Sequence, residues 1–154
     1  MNYREFDESE IENIIQKMIE ISKTRGIKIT TPRILIFKEL VKNTKYHPSA
    51  EDLYQNLKGQ IYGLSLSTIY RTLNIFEQLG LVRRIPTPDG KAHYEIANYP
   101  HGHFICKVCG KIFDLDINQS SFKKEINEIL QKDFEIESCN ILCYGTCRNC
   151  SKQS

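Results

Sequence analysis

Two Cys-x-x-Cys pairs, Cys106/Cys109 and Cys147/Cys150, constrain this chain more than any other feature. Four thiolates in two such pairs are the usual make-up of a closed, tetrahedral zinc site. A closed site leaves no open position for substrate, so its role is to hold a fold or a dimer together. Thioredoxin-like redox chemistry would instead need one reactive pair opening a helix. Cys139 and Cys143 are left over. They read as small buried hydrophobes, with alternative ligands or oxidisable thiols as the other options.

Six cysteines favour metal binding over disulfides if the compartment is reducing. A reducing, cytoplasmic setting is expected, because the acidic, polar N-terminus does not resemble a signal peptide and no apolar run nears the roughly 20 residues of a membrane span. The net charge of +2 is unevenly spread. Residues 1–20 carry two basic against six acidic side chains, residues 21–97 twelve against six, and residues 98–154 seven against seven. The basic middle hints at a polyanionic partner.

Periodicity divides the chain into two domains, 1–97 and 98–154, with Asn98 to Pro100 as linker. In the first, Ile11, Ile14 and Met18 predict a helix from Glu8 to Arg25 that Gly26 stops; its outer face is acidic, which suits packing and not DNA reading. Thr31 as cap and Pro32 in the first turn predict a second helix to about Lys42. Ser49 and Asp52 resemble a capping box opening a third, short helix. His47, in the loop before it, reads by itself as a surface histidine.

The clearest amphipathic helix runs from Ser65 to Gly80. Ile69, Leu73 and Phe76 trace its buried stripe. Ser67, Tyr70, Arg71 and Asn74 share the opposite face, which carries no acid and suits a major groove. Leu81 to Ile85 and Ala92 to Ile96 predict a hairpin turned at Asp89-Gly90. Helices followed by such a hairpin form a winged helix-turn-helix, with Arg83, Arg84 and Lys91 expected to meet phosphates from the wing.

After the linker, strands are expected at Phe104-Ile105, Lys111 to Leu115 and Phe134 to Leu142. A helix from Ser120 to Lys132 should bury Phe122, Ile126 and Ile129 or Leu130. Fewer than 60 residues make a small core, so metal or a partner subunit is needed for stability. The fold class is therefore α+β: an N-terminal winged helix-turn-helix domain plus a C-terminal α/β domain. Spacing also suggests a second metal site. His101 and His103 alternate on one side of a strand, and Asp114 on the next strand is a third candidate. Such N/O donors suit iron(II), manganese(II) or zinc(II).

Taken together, these motifs resemble the ferric uptake regulator (Fur) family of metal-dependent repressors, Fur/PerR type. The matching pieces are Gly26-Ile-Lys-Ile-Thr-Thr-Pro-Arg33, His47-Pro-Ser-Ala-Glu-Asp-Leu-Tyr54, Ser65 to Leu73, Gly80-Leu-Val82, Asp89-Gly90 to Tyr94-Glu95, His101 to Lys111, and Tyr144-Gly-x-Cys147-x-x-Cys150. The resemblance implies a cytoplasmic homodimer, with the C-terminal domain dimerising, that binds double-stranded operator DNA. It implies a structural Zn2+ on Cys106, Cys109, Cys147 and Cys150. It implies a regulatory Fe2+ or Mn2+, for which Zn2+ can substitute in vitro, on His47, Glu95, His101, His103 and Asp114. Tyr70 and Arg71 match the family's major-groove residues, and Lys28 its minor-groove residue.

Some positions depart from the family's subtypes. Asp114 looks like the peroxide-sensing PerR subgroup, whereas Glu95 points to the iron sensors. Pro100, Gly102 and Cys139 stand where a third metal site would need ligands, so that site looks absent or altered. The implied function is metal-gated repression of iron-homeostasis or peroxide-stress genes, with a hinge near Asn98; a zinc-responsive regulator is the alternative. An enzyme is not expected, because no nucleophile motif is present and five protein ligands leave little room at a metal. Beyond metal ions, with peroxide as an option, no small-molecule substrate or membrane partner is expected. A zinc-ribbon interaction module without metal sensing is the other rival.

Overall fold

The computed structural model describes residues 5–97, 101–117, 119–130, 134–136 and 139–152. The described residues up to Ala97 form one compact unit, and those from His101 onward form a second. The linker at Asn98 to Pro100, and the hinge expected there, lie outside the described residues.

The first unit is four α-helices and a hairpin: α1 (Glu8–Thr24), α2 (Thr31–Asn43), α3 (Ala50–Leu57), α4 (Leu66–Gln78), β1 (Val82–Pro86) and β2 (Ala92–Ile96). Helix α1 begins in a reciprocal capping box that the sequence reading overlooked. Asp7 Oδ1 accepts from the Glu10 amide at 2.8 Å, and Glu10 Oε2 accepts from the Asp7 amide at 3.1 Å. Gly26, at φ +70°, ends that helix as expected. The N-cap of α2 is Thr30, not Thr31, and its side chain makes no capping bond. Thr31 and Pro32 are instead the first helical residues, where proline's missing N–H is harmless. The Ser49–Asp52 capping box of α3 forms in full.

Apolar faces of these helices meet in one core. Met18, Ile36, Phe37, Leu40, Leu53, Ile69, Leu73 and Phe76 are all buried there, and Phe37 meets Phe76 edge-on at 5.0 Å between ring centroids. Burying each such side chain contributes about 1.5–3 kcal/mol. The consequence for function is that α4 is fixed by its Ile69–Leu73–Phe76 stripe, so its opposite face is presented rigidly. Strands β1 and β2 pair antiparallel, with Arg83 opposite Glu95 and Arg84 opposite Tyr94.

The second unit holds β3 (Gly102–Cys106), β4 (Ile112–Leu115), α5 (Gln119–Ile129), β5 (Leu142–Gly145) and the single turn α6 (Arg148–Ser151). Its sheet order is β4-β3-β5, antiparallel on the first side and parallel on the second. The third strand is thus Leu142–Gly145; of the expected Phe134 to Leu142, only Leu142 belongs to it among the described residues, and residues 137–138 lie outside them. The reason is the second cysteine pair: Cys147 must reach Cys106, which draws the residues just before it alongside β3, with Cys106 opposite Gly145. A parallel neighbour needs a crossover, and α5 supplies it. On α5, Phe122, Ile126 and Leu130 are partly buried, whereas Ile129 is 72% exposed. The predicted end of that helix at Lys132 lies outside the described residues.

Candidate metal centres and nucleic-acid interface

Cys106 closes β3, and the chain turns through Gly110 at φ +71°, with the Gly110 amide donating to the Cys106 carbonyl at 2.9 Å. Cys147 and Cys150 flank the start of α6. All four Sγ atoms lie within 4.8 Å of one another, and those of Cys109 and Cys147 are 3.9 Å apart. Zinc–sulfur bonds of 2.3 Å in a tetrahedron put sulfurs about 3.8 Å apart, so the cluster has the right size. Backbone amides of Cys109 and Cys147 pull the Cys106 thiol down to about 6. Cys150, hydrogen-bonded to Cys147 and crowded by Cys109 and Cys106, is pushed up to about 12. One thiol is held low by backbone amide donors, and its neighbour is held high by hydrogen bonds within the cluster and by burial. Cys139 is partly buried and Cys143 exposed, so neither is the fully buried hydrophobe expected.

In the same unit, His101 and His103 lie on one side of the chain and both rings are buried. Asp114 stands directly opposite His103 in the β3–β4 register. Its Oδ1 is 3.5 Å from His101 Nε2 and 3.8 Å from His103 Nε2. Between the histidines, Gly102 is closed in: a Cβ there would meet Ile117 Cδ1 at 2.8 Å and the Ile141 Cβ and carbonyl oxygen at 3.3 Å. A ligand side chain at 102 would not fit without movement. Pro100 is outside the described residues.

In the helical unit, His47 is not the surface residue its loop suggested. It is 1% exposed, and its backbone is left-handed, φ 49° and ψ 64°. An L-residue held there costs on the order of 1–3 kcal/mol and persists only where its surroundings enforce it. They do. The segment leaves a short 3-10 turn (Thr44–Tyr46) and is stitched to β2. The Tyr94 amide donates to the Pro48 carbonyl at 2.9 Å, and Ser49 bridges to His93. His93 Nδ1 donates to the His47 carbonyl at 2.7 Å. His93 and Glu95 share a face of β2, so this stitching also brings His47 Nε2 to 3.4 Å from Glu95 Oε2. The Glu95 carboxylate meets a second partner, Arg83, whose Nε is 3.5 Å from Oε1. Imidazole and carboxylate converging in a buried place, without thiolate, are a donor set for iron(II), manganese(II) or zinc(II).

Ser67, Tyr70, Arg71 and Asn74 lie along one solvent-facing side of α4. Lys28 is exposed just before α2, and its carbonyl accepts from Arg33 Nη1. Two features escaped the sequence. Tyr70 donates its hydroxyl to Glu51 Oε1 at 2.7 Å, which with burial pushes the phenol up to about 12. Arg84 is exposed but lies along α4, Nη2 donating to Asn74 Oδ1 at 2.8 Å and lying 3.2 Å from Glu77 Oε2. A wing cation facing a strongly amphipathic helix offers a clue to that pairing; Tyr70 with Glu51, nineteen positions apart, leaves no local signal.

A winged helix with such a reading face, in one chain with a four-thiolate cluster and histidine–carboxylate donors, defines a metal-dependent DNA-binding regulator. The comparisons specify it. The ferric uptake regulator family model matches residues 24–144, and the chain belongs to that family. It is 31% identical over 142 residues to the peroxide-responsive repressor PerR of Staphylococcus saprophyticus subsp. saprophyticus, covering 91% of this chain and 93% of that one. Among solved structures it is similar to the Helicobacter pylori ferric uptake regulator Fur, described as having three functional metal binding sites (TM-score 0.77, 25% identity, 92% of this chain and 93% of that one). It is also similar to PerR from Streptococcus pyogenes (TM-score 0.53, 27% identity, 89% and 92% covered).

Proposed function

We propose that the chain is a homodimeric, cytoplasmic, metal-dependent repressor, not an enzyme, that binds double-stranded operator DNA and answers to iron(II) or manganese(II). The observation that carries the reading is the buried pairing of His47 with Glu95 inside the unit that bears α4. In this reading residues 1–97 bind DNA and residues 98–154 dimerise. Cys106, Cys109, Cys147 and Cys150 hold the structural zinc. His47 and Glu95 are one half of the regulatory site, and His101, His103 and Asp114 the other.

A bound divalent ion supplies a positive centre that both donor sets can share. His47 and Glu95 commit the helical unit to it, while His101, His103 and Asp114 commit the unit organised by the thiolates. Domain arrangement thereby becomes linked to metal concentration through differential affinity. Tyr70, Arg71, Ser67 and Asn74 then read base edges, and Lys28 reaches the minor groove. The test is operator binding by fluorescence anisotropy with manganese present. His101→Ala should lose most of the metal-dependent affinity while keeping its zinc; unchanged affinity would remove this site from the mechanism.

Asp114 and the likeness to peroxide-responsive repressors favour peroxide as a second input. Mass spectrometry after peroxide treatment of the iron-loaded chain should show added oxygen on the His47 or His101 peptide. Unmodified peptides would leave iron or manganese as the signal.

A further inference from the structure

Arg83 and Arg84 are neighbours on β1, so their side chains leave opposite faces of the strand. Neither is a plain surface cation. Arg84 is committed to Asn74 and Glu77. Arg83 is committed to Glu95, its direct cross-strand partner in the β1–β2 register. That pairing is lopsided: the Glu95 side chain is 3% exposed, and that of Arg83 28%. The carboxylate is therefore flanked on both oxygens, by His47 Nε2 at Oε2 and by the guanidinium at Oε1. A guanidinium stays charged across the accessible pH range and cannot ligate a metal. It can only neutralise the carboxylate when no other cation is present and repel a dication that arrives.

We propose that Arg83 is a built-in competitor for Glu95, setting the concentration at which the regulatory metal loads. The inference rests on the reading of His47 and Glu95 as metal donors. In the metal-free chain Arg83 compensates the buried carboxylate, which lowers the gain available from a divalent ion. In the loaded chain it stands as a like charge beside the site. Both terms weaken metal binding and push the loading threshold upward, so Arg83 tunes affinity without touching the ion.

The experiment is direct manganese binding to the zinc-loaded full chain, followed by the electron paramagnetic resonance of free manganese(II). Wild type is compared with Arg83→Met, Arg83→Gln and Arg83→Lys, with zinc content and thermal unfolding measured on each. Arg83→Met should bind manganese about tenfold or more tighter, and Arg83→Lys, which keeps the charge, should stay within about threefold of wild type. Should Arg83→Met not fold, Arg83→Gln carries the test, since it retains a donor for Oε1 without charge and is also expected to bind tighter. Affinity that is unchanged or weaker in the neutral variants overturns the inference while leaving the metal site standing. Wild-type chain that takes up no manganese beyond its zinc overturns the donor assignment of His47 and Glu95, and this inference with it.

Discussion

Gly102 is the position where one methyl group should cost most. It lies in β3 between His101 and His103, and an alanine Cβ would come within 2.8 Å of Ile117 Cδ1 and 3.3 Å of both the Ile141 Cβ and its carbonyl oxygen. Ile117 Cδ1 ends a flexible side chain and can rotate away. The Ile141 carbonyl cannot, because it accepts from the His103 amide at 2.9 Å. Relief must therefore come from moving β3 by a few tenths of an ångström. Overpacking of this kind costs about 1–3 kcal/mol. In a unit this small about 2 kcal/mol lowers the unfolding temperature by roughly 10 °C. A shift of that size also spends the tolerance of about 0.2 Å within which a metal site keeps its ligand distances. Differential scanning calorimetry of zinc-loaded Gly102→Ala should show one transition falling by that order, and manganese binding should weaken. Ile117→Val in the same chain should restore part of the loss by removing Cδ1. Gly59→Ala is the control: nothing lies within 4 Å of a Cβ there and its φ is ordinary, so it should be neutral or stabilising by about 0.4–1 kcal/mol. Equal behaviour of the two alanine variants would refute the steric reasoning.

Other outcomes follow from features already described. Ser49→Ala removes the acceptor for the Asp52 amide and should cost about 1 kcal/mol, read by denaturant unfolding of the helical unit. Glu51→Gln should return the Tyr70 phenol from about 12 toward its ordinary value of 10.0, seen by ultraviolet absorption during alkaline titration. Because folding raises that phenol's pKa, its stabilising effect is complete below pH 10 and is lost as pH rises toward 12. Tyr70→Phe should remove that part of the slope. Cys109→Ser should abolish zinc retention and melt the thiolate-bearing unit, whose small core cannot stand alone, as seen in its calorimetric transition.

What could be read in the sequence was what is local. The Ser49–Asp52 capping box, the stop at Gly26 and the buried stripe of α4 are each decided within one turn or one face of a helix, and all three stand. The His101/His103 alternation likewise needed only the two-residue repeat of a strand. The errors came where distant segments decide. His47 looked exposed because nothing nearby announces that His93 and Tyr94, more than forty positions on, pull its loop inward. The third strand was placed too early because its position depends on where Cys147 must reach, which nothing within Phe134 to Leu142 announces. The pairing of Arg83 with Glu95 depends on hairpin register, which the turn residues suggested but did not specify.

The thiolate cluster also has a consequence for how freely the chain can change. Cys109 and Cys147 lie 38 positions apart, so a zinc held at both ends closes everything between them into a loop. The entropy of closing a loop grows only logarithmically: doubling its length costs about 0.6 kcal/mol. Insertions between α5 and β5 are therefore almost free thermodynamically, provided β5 still pairs with β3. Insertions between Cys106 and Cys109, or ahead of Asp114, would directly displace the Cys109 thiol or the Asp114 carboxylate, which faces His101 and His103. The cross-link thus divides the second unit into a tolerant stretch and an intolerant one. Length variation among related chains is expected to gather in the first.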